Sequence, residues 1–140
     1  TGEPMIYTRQ TWPEGRWPNF SFDEAACQET GECDMDPEFM DILQGVRIEL
    51  GAGMNMTSMY RSPRHSIEAA KDLPGTHTTG KAGDVACYGI KAHLVLQLLM
   101  PVFNGIGIKQ SGPMQSRFIH FDLVEDELSH VSRPYVWSYS

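Results

Sequence analysis

No stretch of this 140-residue chain approaches the ~18 consecutive apolar residues that a membrane span requires, so a soluble protein is expected. Positive charge is scarce. Eleven Lys and Arg stand against 18 Asp and Glu, a formal net charge of −7. A protein that neutralises nucleic-acid phosphates needs the opposite balance, which excludes that class of partner. Cysteine is rare too: Cys27, Cys33 and Cys87 cannot all pair within one chain, and no C-x-x-C spacing marks a zinc knuckle or redox site. A Cys27–Cys33 loop and three free thiols in a reducing compartment both remain open. There is no internal repeat and no low-complexity tract. No charged segment followed by an apolar run begins at Thr1, which leaves either a removed leader or none.

What the sequence has in quantity is turn-forming residues, 13 Gly and 9 Pro, and loops are where sites tend to sit. A hydrophobic share of 41% is enough for one modest core and a single domain. Residues 1–20 carry Pro4, Pro13 and Pro18 with Trp12 and Trp17, which reads as an irregular arm whose aromatics pack onto a domain spanning 21–140. Ser21 followed by Glu24 has capping-box spacing. The clearest helix opens at Asp36 with Pro37 at its first position. Phe39, Leu43, Val46 and Leu50 make its apolar stripe, and Gly51 and Gly53 end it. Met54–Tyr60 reads as a strand, Glu68–Lys71 as a helical turn and 72–81 as loop. Ala82–Cys87 reads as a buried strand. A second helix is expected over Ile90–Met100, with Leu94, Val95, Leu98 and Leu99 inward and Pro101 near its end. Gly105–Lys109 and Phe118–Leu123 read as strands joined by a turn at Ser111-Gly112-Pro113. The expected fold class is α+β: a small antiparallel sheet with helices packed on one face.

Two patterns could carry chemistry. His77 and Asp84 are separated by a Gly-rich loop, and His120-Phe-Asp122 lies inside an apolar strand. Alternation on a strand sends Phe118, His120 and Asp122 to one face and Ile119, Phe121 and Leu123 to the other. Two His and one carboxylate can give Zn²⁺ three ligands and leave a fourth position for water. The spacing permits this without requiring it, since a His in a strand or a Thr/Gly loop is often an ordinary hydrogen-bonded residue.

Four motifs in order extend the argument: Ser58-Met-Tyr60-Arg61-Ser62-Pro63, Gly75-Thr-His77 through Asp84, Gly105-Ile-Gly107-Ile, and Phe118-Ile-His120-Phe-Asp122. From about Phe20 onward the chain resembles the M15 family of zinc D-Ala-D-Ala peptidases, in the compact form that includes many phage-borne enzymes. The ending Arg133-Pro134-Tyr-Val-Trp137-Ser-Tyr139 is similar to the C-terminus of those phage-borne members. The resemblance implies a loop-framed zinc site with His77, Asp84 and His120 as ligands. It implies Arg61 as the arginine that orients substrate and steadies a developing oxyanion, a role suited to a planar, always-charged fork of donors. It also implies hydrolysis of an amide bond next to a D-amino acid in bacterial cell-wall peptide, by carboxypeptidase or endopeptidase action. The expected setting is the periplasm, the outside of the cell or phage delivery, for a monomer that does not insert into membrane.

The sequence departs from the family pattern at the general base. Many members carry an acid three residues before the last zinc-binding His, where this chain has Arg117, which cannot accept a proton at neutral pH. Asp122 is the nearest acidic candidate, either as the base or as a group that orients a ligand His. Glu125 and Asp126 read as solvated loop charges. His65, followed by Ser66 where relatives often have Asn, is a candidate substrate contact. His93 reads as structural, His130 as exposed, and Met54, Met56 and Met59 as core filling. Arg117 also keeps open a non-catalytic domain of the same fold that binds wall peptide or serves in a virion.

Overall fold

The computed structural model describes residues 6–140; residues 1–5 of the expected arm, Pro4 among them, lie outside the described residues. Local sequence signals account for the first helices. Helix α1 (Phe22–Ala25) opens on the Ser21/Glu24 capping box. Helix α2 (Pro37–Leu50) is capped by Asp36, whose carboxylate accepts from the Phe39 amide, and ends at Gly51 in the left-handed conformation. Phe39, Met40, Leu43 and Val46 are buried. Strand β1 (Asn55–Ser58) follows, shorter than the expected Met54–Tyr60. Helix α3 spans Ser66–Ala69, two residues ahead of the expected turn because His65 serves as its N-cap.

Beyond that come a 3₁₀ turn (Thr76–Thr79), β2 (Ala82–Ala86) and α4 (Gly89–Leu99). Strand β3 (Gly105–Lys109), a second 3₁₀ turn (Met114–Ser116), β4 (Phe118–Asp122) and β5 (Tyr135–Ser138) complete the chain. Helix α4 corrects one expectation. Ala92, Val95 and Leu99 are its buried stripe, whereas Leu94 is 46% exposed. Apolar residues occur all round this helix, so their spacing alone does not decide which face turns inward.

The strands form one sheet in the order β1-β2-β4-β3-β5. Neighbours are antiparallel except β5, which runs parallel to β3, so the sheet is mixed. The fold class is α+β, as expected, with that one strand added. The connection after β4 carries the chain past β3 to the far edge.

One face of the sheet holds the core. Phe121 stacks on Phe39 of α2 with centroids 5.8 Å apart, and Phe103 completes the aromatic cluster at 4.8 Å from Phe121. Tyr7, Trp12 and Trp17 are buried in the same continuous core, and the Trp17 Nε1–H donates to Asp41 at 2.8 Å. Met54, Met56 and Met59 fill the core as the sequence suggested. The three cysteines are free and buried, and burial pushes the Cys33 and Cys87 thiols up to about 11.

Candidate metal centre

The opposite face of the sheet carries the polar residues. Asp84 of β2 pairs in register with His120 of β4, so both side chains leave the same face side by side. His77 reaches them from the 3₁₀ turn just before β2. That turn is closed by Gly80, at φ 74°, where any side chain would run into the Asp34 carbonyl. The Gly80 carbonyl in turn accepts from the Asp36 amide at 2.9 Å, which ties the His77 turn to the cap of α2.

Hydrogen bonding at the far side of the His77 ring settles what its near side offers. His77 Nδ1 lies 2.7 Å from the Met59 carbonyl, which can only accept, so Nδ1 carries the proton and Nε2 presents a lone pair. That Nε2 is 3.4 Å from Asp84 Oδ2. His120 Nε2 lies 2.7 Å from Asp122 Oδ2, and its Nδ1 is 2.8 Å from Asp84 Oδ1. With the proton on Nε2, Nδ1 turns a lone pair toward a carboxylate, and a proton or a cation between them removes the repulsion. One ligand atom from each of His77, Asp84 and His120 lies within 4.8 Å of the others. Two imidazole nitrogens and one carboxylate oxygen, each ring held from behind, fit a divalent metal of the zinc type. In the metal-free site a proton takes the cation's place: burial opposes ionisation of Asp84, but hydrogen bonds from His120 and His77 in their protonated forms outweigh it and hold its carboxyl well below the usual range.

Asp122 sits behind His120 with no exposed surface. Its Oδ1 accepts from Arg133 Nε at 2.8 Å and from the Val124 amide at 3.3 Å. Its Oδ2 accepts from Arg133 Nη2 at 2.7 Å and from His120. Burial works against its charge, yet the Arg133 and His120 hydrogen bonds prevail and lower its pKa to about 2. Trp137 lies over both partners, 5.3 Å from the His120 ring and 5.1 Å from the Arg133 guanidinium. Space for these groups comes from β3. Gly105 stands opposite Asp122 and Gly107 opposite His120, and a Cβ on Gly107 would lie 2.6 Å from the Trp137 ring. A groove of about 620 Å³ is lined by His130, Val131, Ser132, Arg133, Tyr135 and Trp137, which include the two side chains behind His120 and none of the three converging groups.

A family model described as Peptidase M15 matches residues 18–122. The chain belongs to the peptidase M15 family. Comparisons with curated proteins and with solved structures give no match. Membership supports a hydrolase of the metallopeptidase type, and zinc is the metal typical of M15 peptidases.

The other expected site residues of this M15 chain take different places. Arg61 donates from Nη1 to Glu68 at 3.1 Å, its backbone amide bonds the His77 carbonyl, and its remaining guanidinium donors have no acceptor among the described residues. Glu68, within α3, is a buried anchor whose role the sequence does not disclose. It also receives Lys71 and the Gly75 amide, at 2.8 and 3.0 Å. His65 has both ring nitrogens engaged: Nδ1 accepts from the Ile67 amide and Nε2 faces Glu29 at 3.5 Å. Arg117 donates to the Gly112 carbonyl, and Glu125, Asp126, His93 and His130 are exposed. Arg133 was legible only as part of a C-terminal motif. Its signal was the period-two recurrence of Tyr135, Trp137 and Tyr139, which marks a strand.

Proposed function

We propose that this protein is a zinc peptidase that hydrolyses an amide bond next to a D-amino acid in peptidoglycan peptides. The observation that carries the reading is the convergence of His77 Nε2, His120 Nδ1 and Asp84, with the opposite ring nitrogens committed to Met59 and Asp122. When bound, zinc supplies Lewis acidity, which acidifies water and polarises a scissile carbonyl. The protein's part is to hold that site and the substrate. His77 and His120 are each held from behind, by the Met59 carbonyl and Asp122, so no ring has to swing into place. Arg61, anchored by Glu68 through one nitrogen, keeps donors to offer a substrate carboxylate or the oxygen that gains charge during the reaction.

Of the two roles open to Asp122, the orienting one is the better supported. Its two oxygens already take four donors, and it has no exposed surface from which to receive a proton from water. Its place is to fix His120. The reading also puts the working site outside the cytoplasmic membrane, in the periplasm, the extracellular space or a phage-delivered setting, with a monomer meeting wall peptide.

Purified muropeptides provide the test. Cleavage abolished by chelator and by His120→Ala is the expected result. Release of terminal D-Ala marks a carboxypeptidase, and scission within the peptide marks an endopeptidase. Full zinc occupancy without cleavage of any wall peptide would sink the enzyme reading and leave the non-catalytic domain suggested by Arg117.

A further inference from the structure

We propose that Arg133 is a positioning residue of the metal centre, acting on His120 through Asp122. The inference deepens the zinc reading above and rests on it. Arg133 comes from the segment that leads into β5, beyond the 18–122 stretch that the family model matches. Its side chain is 7% exposed and every branch of the guanidinium is committed. Nε and Nη2 straddle the two oxygens of Asp122 at 2.8 and 2.7 Å, and Nη1 donates to the Ser132 carbonyl at 2.7 Å.

The chemistry of the arrangement is a chain of dependence. His120 is a good ligand only while Nε2–H has an acceptor, because that bond fixes the tautomer and the ring direction. The acceptor is a carboxylate with no exposed surface, so protein donors rather than water must hold its two oxygens in place. Besides His120, Asp122 has the Val124 amide at 3.3 Å and the Arg133 fork. Removing the fork leaves one weak neutral donor to hold a charge that must point at His120.

A second observation points the same way. Gly105 and Gly107 leave bare the strip of β3 that faces Asp122 and His120, and the Arg133 guanidinium and Trp137 indole fill that strip. A Cβ on Gly105 would lie 2.6 Å from Asp122 Cγ. The Trp137 ring lies 5.1 Å from the guanidinium, and the ion pair behind it is shielded from water, with Arg133 7% and Asp122 0% exposed. A lysine could supply the charge but not two parallel bonds in one plane.

The experiment uses the full chain and reads zinc affinity by competition with a chromophoric chelator, together with the visible absorption bands of the cobalt(II) form. Arg133→Gln is expected to weaken zinc binding by about 10- to 100-fold and to shift the cobalt bands. Arg133→Lys should recover part of that loss. Asp122→Asn should weaken binding to a similar extent, and Arg133→Gln added to it should cost little more, because both changes break one linkage. Wild-type affinity in Arg133→Gln, or losses that multiply fully in the double variant, would overturn the proposal. If Arg133→Gln does not fold, Arg133→Lys carries the comparison, and an affinity and cobalt spectrum identical to wild type would overturn it equally. A wild type that takes up no zinc overturns this inference with the metal reading. A wild type that binds zinc but cleaves no wall peptide defeats the proposed function alone, since the affinities still decide the role of Arg133.

Discussion

Gly105→Ala adds one methyl group to a strand and should damage the candidate metal centre from behind. The new Cβ would lie 2.6 Å from Asp122 Cγ, and it would also meet Asp122 Oδ1 and Arg133 Nε. Neither neighbour is a loose chain end, since Asp122 accepts four donors and Arg133 is held at three nitrogens. Two outcomes compete. If the strand absorbs the strain, overpacking costs about 1–3 kcal/mol. If Asp122 or Arg133 moves instead, each charge-assisted bond lost costs about 1.5–3 kcal/mol. Relieving one raises the other, so the expected loss is about 3 kcal/mol, which lowers the melting temperature by about 6–15 °C in a domain of this size. Thermal unfolding by circular dichroism in chelator reads the stability, and chelator competition reads a parallel fall in zinc affinity. Gly45→Ala is the internal control, an exposed position inside α2 where an added Cβ meets nothing within 4 Å. There the change should stabilise by about 0.5–1 kcal/mol, through lower backbone entropy in the unfolded chain. A Gly105→Ala protein that melts and binds zinc like wild type would refute the claim that β3 is bare to make room for the clamp.

The remaining predictions concern the fold around the site. Trp17→Ala should cost about 3–5 kcal/mol in urea unfolding, because a fully buried indole leaves a cavity, and Asp41 loses a donor. A cost below about 1 kcal/mol would show that the N-terminal segment is not part of the core. Glu68→Gln should destabilise by about 1–3 kcal/mol at pH 7, discounted because Arg61 and Lys71 are partly exposed. Burial opposes the Glu68 charge, but Lys71, the Gly75 amide and Arg61 hold its carboxyl below the ordinary value of 4.5. The contribution is therefore fully present above that value and fades as pH falls through the folded-state value. Urea midpoints of wild type and Glu68→Gln should converge in acid; a gap that stays constant from pH 7 to pH 3 would refute this account.

How far the sequence disclosed this molecule depends on how far apart its signals lie. The Asp36 cap, Pro37 and the Gly51 stop act within one helix, so α2 could be drawn from local chemistry alone. Gly105-Ile-Gly107 and Phe118–Asp122 alternate visibly, so their strands were legible too. Register was not. Asp84 stands beside His120 through pairing across 36 residues, a relation that spacing permits and only the family resemblance singled out. Helix α4 misled for the opposite reason, because apolar residues on every side gave no preferred face and Leu94 turned outward. Arg133 reaches Asp122 from across β3 after a ten-residue excursion, 123–132, with no periodic signal. His65 reads from sequence as a candidate substrate contact in a loop, and its capping of α3 depends on a turn that the sequence does not mark.

The parallel placement of β5 has a consequence for the order in which the site is completed. All three candidate ligands precede residue 121, whereas Arg133 and Trp137 reach the sheet only after the chain has crossed β3. A ribosome therefore delivers the ligands before the parts that aim them, and the nascent chain passes through a stage with donors but no clamp. The crossing runs through exposed Glu125, Asp126 and Glu127, the kind of segment that proteases cut first. A single cut there would spare every ligand and leave Arg133 and Trp137 tied to the site only by the β3–β5 pairing and the Asp122 fork, so zinc affinity after nicking would read what the intact connection contributes.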